Sequence, residues 1–149
     1  MATTSTFKKE LITMLNEALK LEHAARIQYL SHAETIKGIN AEPIIARLKE
    51  IASDEKNHED KFRKMLSFLD GVPTMDLAKT HEAKGIEPIL KINLKTEKEA
   101  IDFYEQIYQK ICAHKGELQY LYETLEHELR HVILDEQEHV QELEVLLGE

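Results

Sequence analysis

Two five-residue stretches repeat one pattern: Asp54-Glu55-Lys56-Asn57-His58 and Asp135-Glu136-Gln137-Glu138-His139. Each sets a carboxylate and an imidazole three residues apart, a spacing that shares one face of a helix. Two more acids, Glu22 and Glu97, are each followed seven residues later by a tyrosine, Tyr29 and Tyr104. The chain thus reads Glu-x6-Tyr and then Asp-Glu-x-x-His, twice. A random order of the same residues would produce Asp-Glu-x-x-His roughly 0.05 times. Four carboxylates and two imidazoles suit divalent iron or manganese, whereas zinc prefers more nitrogen and sulfur. The charges would balance two divalent cations. In that reading Glu55 and Glu136 bridge, Glu22 and Glu97 are terminal, and His58 and His139 go one to each metal. Asp54 and Asp135 are placed to accept the free ring N–H of a histidine. Tyr29 and Tyr104 are expected in the core, with their hydroxyls on carboxylates.

These residues need rigid elements to bring them together, and the stop signals divide the chain into four helices. The first is expected from Ser5, an N-cap, to Gly38, and the second from near Pro43 to Gly71-Val72-Pro73. The third is expected from near Pro88 to Gly116, and the fourth from about Glu117 to Gly148. Each carries an apolar stripe at three- and four-residue steps. The stripes run through Leu11, Leu15, Ala18 and Tyr29; Leu48, Ile51, Phe62 and Met65; Leu90, Leu94, Tyr104 and Ile111; and Leu125, Leu129, Val132 and Leu143. Their gaps are filled by Glu22, by Glu55 and His58, by Glu97, and by Glu136 and His139. Six polar groups therefore point toward the predicted core. A buried carboxylate costs several kcal/mol or takes up a proton, and four together also repel one another, unless cations lie among them.

Depth along each hairpin agrees. Glu22 lies 16 residues before Gly38 and Glu55 lies 17 after it, while Glu97 lies 19 before Gly116 and Glu136 lies 20 after it. Short links at Gly38 and Gly116 make each helix pair an antiparallel hairpin. The stretch from Gly71 to Glu87 is long enough to cross a whole helix, so one long crossover can join the hairpins, with a loose surface loop as the alternative. The composition fits one all-α domain over 1–149, with only 5 Gly and 3 Pro in 149 residues. A net charge of −9 argues against nucleic acid and anionic membrane surfaces, and no apolar run is long enough to span a bilayer. The lone Cys112 excludes an internal disulfide and cysteine-built metal sites, and it is expected to be half-buried packing. No apolar segment follows the basic start, so no signal peptide is expected and the chain reads as cytoplasmic.

A Glu from each of two helices with Glu-x-x-His from each of two others is the di-iron carboxylate signature of ferritin-like bundles. On these residues the chain resembles the ferritin-like superfamily, most closely its bacterioferritin and rubrerythrin branches. Leu21-Glu22-His23-Ala24-Ala25-Arg26-Ile27-Gln28-Tyr29 and Ser67-Phe68-Leu69-Asp70-Gly71-Val72-Pro73 are similar to bacterioferritin as well. The resemblance implies a ferritin-like four-helix bundle holding two iron ions per chain, which oxidises Fe(II) with dioxygen or hydrogen peroxide. It leaves open an iron store, or a manganese pair with catalase-like chemistry. Lys56 stands where bacterioferritin has its haem-ligating Met, so no haem is expected. Ala100 stands where rubrerythrin has an extra Glu, and the rubredoxin domain is missing, which implies an external reductase. The ten residues after His139 are fewer than the usual fifth helix needs. Extra apolar residues such as Ile12 and Ile27 point to a homodimer or larger homo-oligomer. Off-stripe histidines, His23, His32, His81, His114, His127 and His131, are expected at the surface or flanks, with His23 and His127 candidates to line an iron path. Glu128-Leu129-Arg130-His131 is expected to be a solvated pair.

Overall fold

A computed structural model describes residues 5–149; residues 1–4, part of the start read for a signal peptide, lie outside the described residues. Four long helices form the bundle: α1 (Thr6–Ala33), α2 (Ala41–Phe68), α3 (Ile86–Ala113) and α5 (Tyr122–Leu147), with a single turn, α4 (Lys115–Leu118), before the last. Strands are absent among the described residues. Ser5 caps α1 by accepting from the Lys8 amide at 3.2 Å. Pro43 and Pro88 sit in the first turns of α2 and α3, where a missing N–H costs nothing. Gly148 ends α5 at φ +80°, a left-handed cap that favours glycine.

Each helix buries the stripe its sequence carries. Leu11, Leu15 and Ala18 of α1, Phe62 and Met65 of α2, Tyr104 and Ile107 of α3, and Leu125, Leu129 and Val132 of α5 form one core cluster. A second lies toward the opposite end, with Tyr29, Leu48, Ile51, Ile89, Leu90 and Leu143. The polar centre lies between these two clusters. Cross-helix contacts set the directions. Tyr29 meets Glu97 and Glu22 meets Tyr104, so α1 and α3 are antiparallel, and Lys61–Glu128 with Arg47–Glu142 give α2 and α5 the same relation.

Two boundaries and one burial differ from the sequence reading. α1 stops at Ala33 instead of running to Gly38, because Thr35 turns both its amide and its hydroxyl onto the His32 carbonyl. This lets Ile36 tuck into the core. The fourth helix is not continuous from Glu117. A 3₁₀ turn at Gln119–Leu121, with Gln119 at φ +52°, separates α4 from α5 and lets Leu118 bury while Tyr120 faces water. Cys112 is exposed, not half-buried, because it projects away from the side of α3 that buries Ile111.

The crossover, residues 69–85, is pinned along α1. Gly71 opens it where an added Cβ would stand 3.0 Å from Ile12. Asn16 then donates to the Val72 carbonyl at 3.1 Å and accepts from the Thr74 amide at 2.9 Å, and the Ala78 amide reaches the Lys20 carbonyl at 3.0 Å. Further along, His23 meets the Asp76 carbonyl, and Gln28 and His32 hold the His81 amide and carbonyl. The strap gives α1 a second covered face. That is why His23 and His32, expected at the surface, are buried. Among the described residues no helix is long and apolar enough to cross a membrane.

Candidate metal centre

Glu22, Glu55, His58, Glu97, Glu136 and His139 converge at mid-bundle, each at most 2% exposed. Their ligand atoms fall into two overlapping sets. Glu22, Glu55, His58 and Glu136 form one, and Glu55, Glu97, Glu136 and His139 the other, with all atoms of a set within 4.8 Å of one another. Glu55 and Glu136 belong to both. The level match across each hairpin has this result: four helices deliver six side chains to one point.

The rings are held from outside the cluster. His58 donates its Nε2–H to Asp135 Oδ2 at 2.9 Å, and His139 donates its Nε2–H to Asp54 Oδ2 at 2.9 Å. The exchange is reciprocal, since each motif's Asp orients the other motif's His. With Nε2 occupied, Nδ1 of each ring is aimed inward. The tyrosines also cross over. Tyr29 of α1 donates to Glu97 Oε1 of α3 at 2.7 Å, and Tyr104 of α3 donates to Glu22 Oε1 of α1 at 2.7 Å.

The chemistry of this arrangement follows from what remains unpaired. Among the described residues, six buried side-chain atoms have no hydrogen-bond partner: Glu22 Oε2, Glu55 Oε1, His58 Nδ1, Glu97 Oε2, Glu136 Oε1 and His139 Nδ1. They are one from each of the six residues. Glu136 Oε1 comes within 2.8 Å of His58 Nδ1, a charge contact without hydrogen-bond alignment. Buried polar atoms are ordinarily paired, so six facing one point fit a cation. A four-oxygen, two-nitrogen set matches iron or manganese.

Without a cation the cluster offsets its charge with protons. Burial first, then the nearby Glu22 and Glu97 charges, push Glu55 well above the carboxylate range. Burial and the charges of Glu55, Glu97 and Glu22 do the same to Glu136. Burial would lower His58, but the Glu22 charge and the Asp135 hydrogen bond outweigh it and push the ring up to about 12. His139 is likewise opposed by burial and pushed up to about 9 by Glu97 and Asp54. Burial would raise Glu97, yet Glu136, His139 and Tyr29 hold it below its usual value. Burial and the Glu97 and Glu22 charges respectively raise Tyr29 and Tyr104, so both stay protonated donors.

Replacing Tyr29 or Tyr104 with Phe is expected to destabilise the metal-free chain by about 1.5–3 kcal/mol, the usual value of a hydrogen bond to a charged group. Urea unfolding of each variant against the parent checks this, and an unchanged midpoint would contradict it.

Other buried polar groups gave no stripe signal. Asn93 donates to the Ile89 carbonyl at 2.8 Å and accepts from Gln28 at 2.9 Å, one turn before Glu97. Its place between Leu90 and Leu94 was the available clue. Glu59 is buried beneath Arg26, Arg63 and His23. Only its i,i+4 spacing to Arg63 hinted at this. Of the two path candidates, His23 is engaged in this ion cluster, while His127 is exposed on α5. A cavity of about 180 Å³ between α1 and α3 reaches Glu55, Glu97 and Glu136. Ala25 and Ala100 line it, and Lys79 and His81 of the crossover form part of its wall.

A family model described as a ferritin-like domain matches residues 12–149. The bacterioferritin of Desulfovibrio desulfuricans is 27% identical over 112 residues, covering 74% of this chain and 62% of that protein. A bacterial ferritin of Neisseria meningitidis is 29% identical over 92 residues, covering 62% of this chain and 60% of that protein. The matched segments thus span 62% and 60% of the lengths of these curated relatives. Among solved structures, a ferritin-like, diiron-carboxylate protein of Bacillus anthracis superposes with TM-score 0.87 at 30% identity, covering 96% of this chain and 99% of that one. A dodecameric thioferritin, the bacterioferritin-related protein of Bacteroides fragilis, gives TM-score 0.82 at 26% identity, with coverage of 95% and 86%.

Proposed function

We propose, from the premise that this chain belongs to the ferritin-like family, that it binds two iron ions at mid-bundle and oxidises Fe(II) with dioxygen or hydrogen peroxide. The observation that carries this reading is the set of six unpaired buried atoms, one from each of six side chains aimed at one centre. Glu22 and His58 would serve one ion, Glu97 and His139 the other, with Glu55 and Glu136 shared. When bound, the metal pair would supply electron transfer from Fe(II) to the oxidant.

The chain's own residues supply the rest. Asp54 and Asp135 fix the rings so that Nδ1 faces the centre. Tyr29 and Tyr104 each hold one oxygen of a terminal carboxylate and leave the other free. The apolar clusters on both sides exclude bulk water, and the alanine-lined cavity is wide enough for a small oxidant. Where a longer side chain would close it, Ala100 leaves it open.

The dodecameric relative supports a homo-oligomer here too. Ile27 of α1 and Met75 and Leu77 of the crossover are exposed apolar residues in one groove, as a second copy would require. Electrons for repeated turnover would come from an external reductase.

Anaerobic reconstitution with Fe(II), elemental analysis, and then oxygen or peroxide challenge tests the function. Two irons per chain with repeated oxidant consumption is expected. Retention of many irons per chain with a single round of consumption would instead mark a store, and failure to retain iron would end both readings.

A further inference from the structure

The chain carries a ligand pair that the buried centre does not use. His127-Glu128-Leu129-Arg130-His131 sets two imidazoles four residues apart on α5, and a His-Glu-x-x-His run on a helix presents both rings on one face, where they can share a zinc ion. The sequence reading of Glu128-x-x-His131 as a solvated pair leaves His127 out of account. Leu129 and Val132 turn into the core, which leaves His127 exposed and His131 half-buried at the surface. The two rings have centroids 4.3 Å apart and planes inclined at 43°. One ion at about 2.1 Å from a nitrogen of each fits that separation after small side-chain rotations. Neighbouring charges are committed elsewhere: Arg130 donates to Glu126 at 2.9 Å, and Glu128 lies 3.8 Å from Lys61.

We infer that His127 and His131 form a surface site for one imidazole-preferring divalent cation, with zinc the fitting probe. Glu123 stands one turn earlier on α5, four residues before His127. The next step beyond His131 along that helix is Asp135, which holds the His58 ring. A captured cation therefore lies about one turn of α5, roughly 6 Å of rise, from the wall of the buried centre. The inference does not depend on what the buried centre binds or catalyses.

Equilibrium dialysis of the full chain against Zn(II), with nitrogen NMR of the histidine rings, tests it. The parent chain is expected to retain one more zinc than either His127→Ala or His131→Ala. His114→Ala, at a histidine away from both sites, should match the parent, and the His127 and His131 ring signals should move together on zinc addition. The same increment should persist in a Glu55→Ala/Glu136→Ala background, which separates it from the buried centre. Equal zinc retention by the parent and both surface variants would overturn the site, as would ring signals unmoved by zinc. The surface variants leave the core untouched, so the result is readable whatever the fate of the Glu55 and Glu136 variants.

Discussion

Replacing Glu55 or Glu136 with Met is expected to empty both halves of the centre, taking bound metal from two ions per chain to below one. Both residues occur in each ligand set, whereas Glu22 and Glu97 occur in only one. Glu22→Met should therefore lose the ion on the His58 side first, and Glu97→Met the one beside His139. Stability should move the opposite way in the metal-free protein. Of the four carboxylates, each at most 2% exposed, Glu55 and Glu136 are the ones that burial and like charge push toward the protonated form there. Because Glu55 and Glu136 are the two acids pushed toward the protonated form, exchanging either for an apolar group of similar volume removes like-charge repulsion without leaving a charge unpaired, and is expected to be neutral or stabilising. Elemental analysis alongside melting curves with and without Fe(II) checks both halves of the expectation. A Glu55→Met chain that keeps two ions, or that melts well below the metal-free parent, would contradict it.

Metal uptake is expected to release at least two protons per chain at pH 7, one from each ring, and to weaken as pH falls. In the metal-free chain His58 is pushed up to about 12 and His139 up to about 9, so both rings are protonated at neutral pH. An incoming cation needs their Nδ1 lone pairs and must displace those protons. Glu55 and Glu136, raised by burial and like charge, add to the count. Affinity should drop about tenfold per pH unit for each proton released. The metal-free fold behaves in the opposite sense. A raised imidazole pKa contributes stability that is full below the unfolded value of about 6.5 and is lost as pH rises through the folded value. Its melting temperature should thus fall between pH 7 and 10 as His139 loses its proton, while the metal-loaded chain holds or gains. Proton counting during metal titration, with paired melts, checks this; an affinity flat from pH 6 to 8 would refute it.

What was legible in the sequence was whatever has a period. Glu22, Glu55, His58, Glu97, Glu136 and His139 interrupt apolar stripes at helical spacing, and equal distances from Gly38 and Gly116 put them at one level. Asp54 and Asp135 could be read as ring acceptors from adjacency, but not which ring each would reach. That depends on α2 and α5 lying side by side and antiparallel, a tertiary relation with no local trace. The crossover was legible only as a length. Its contacts run from Asn16, His23, Gln28 and His32 to backbone groups of residues 72–81, and backbone carries no sequence signature. For the same reason His23 and His32 read as surface residues. The break at Gln119 escaped because neither Gly nor Pro marks it; a non-glycine residue takes the positive φ.

The interchange of acceptors between His58 and His139 has a consequence for how the molecule is divisible. Severing the crossover would leave two fragments, each with a complete Asp-Glu-x-x-His, yet neither able to aim its own imidazole. A lone fragment paired with its own duplicate, by contrast, would satisfy both exchanges. The molecule's halves are yoked, so that prying one loose disarms the other.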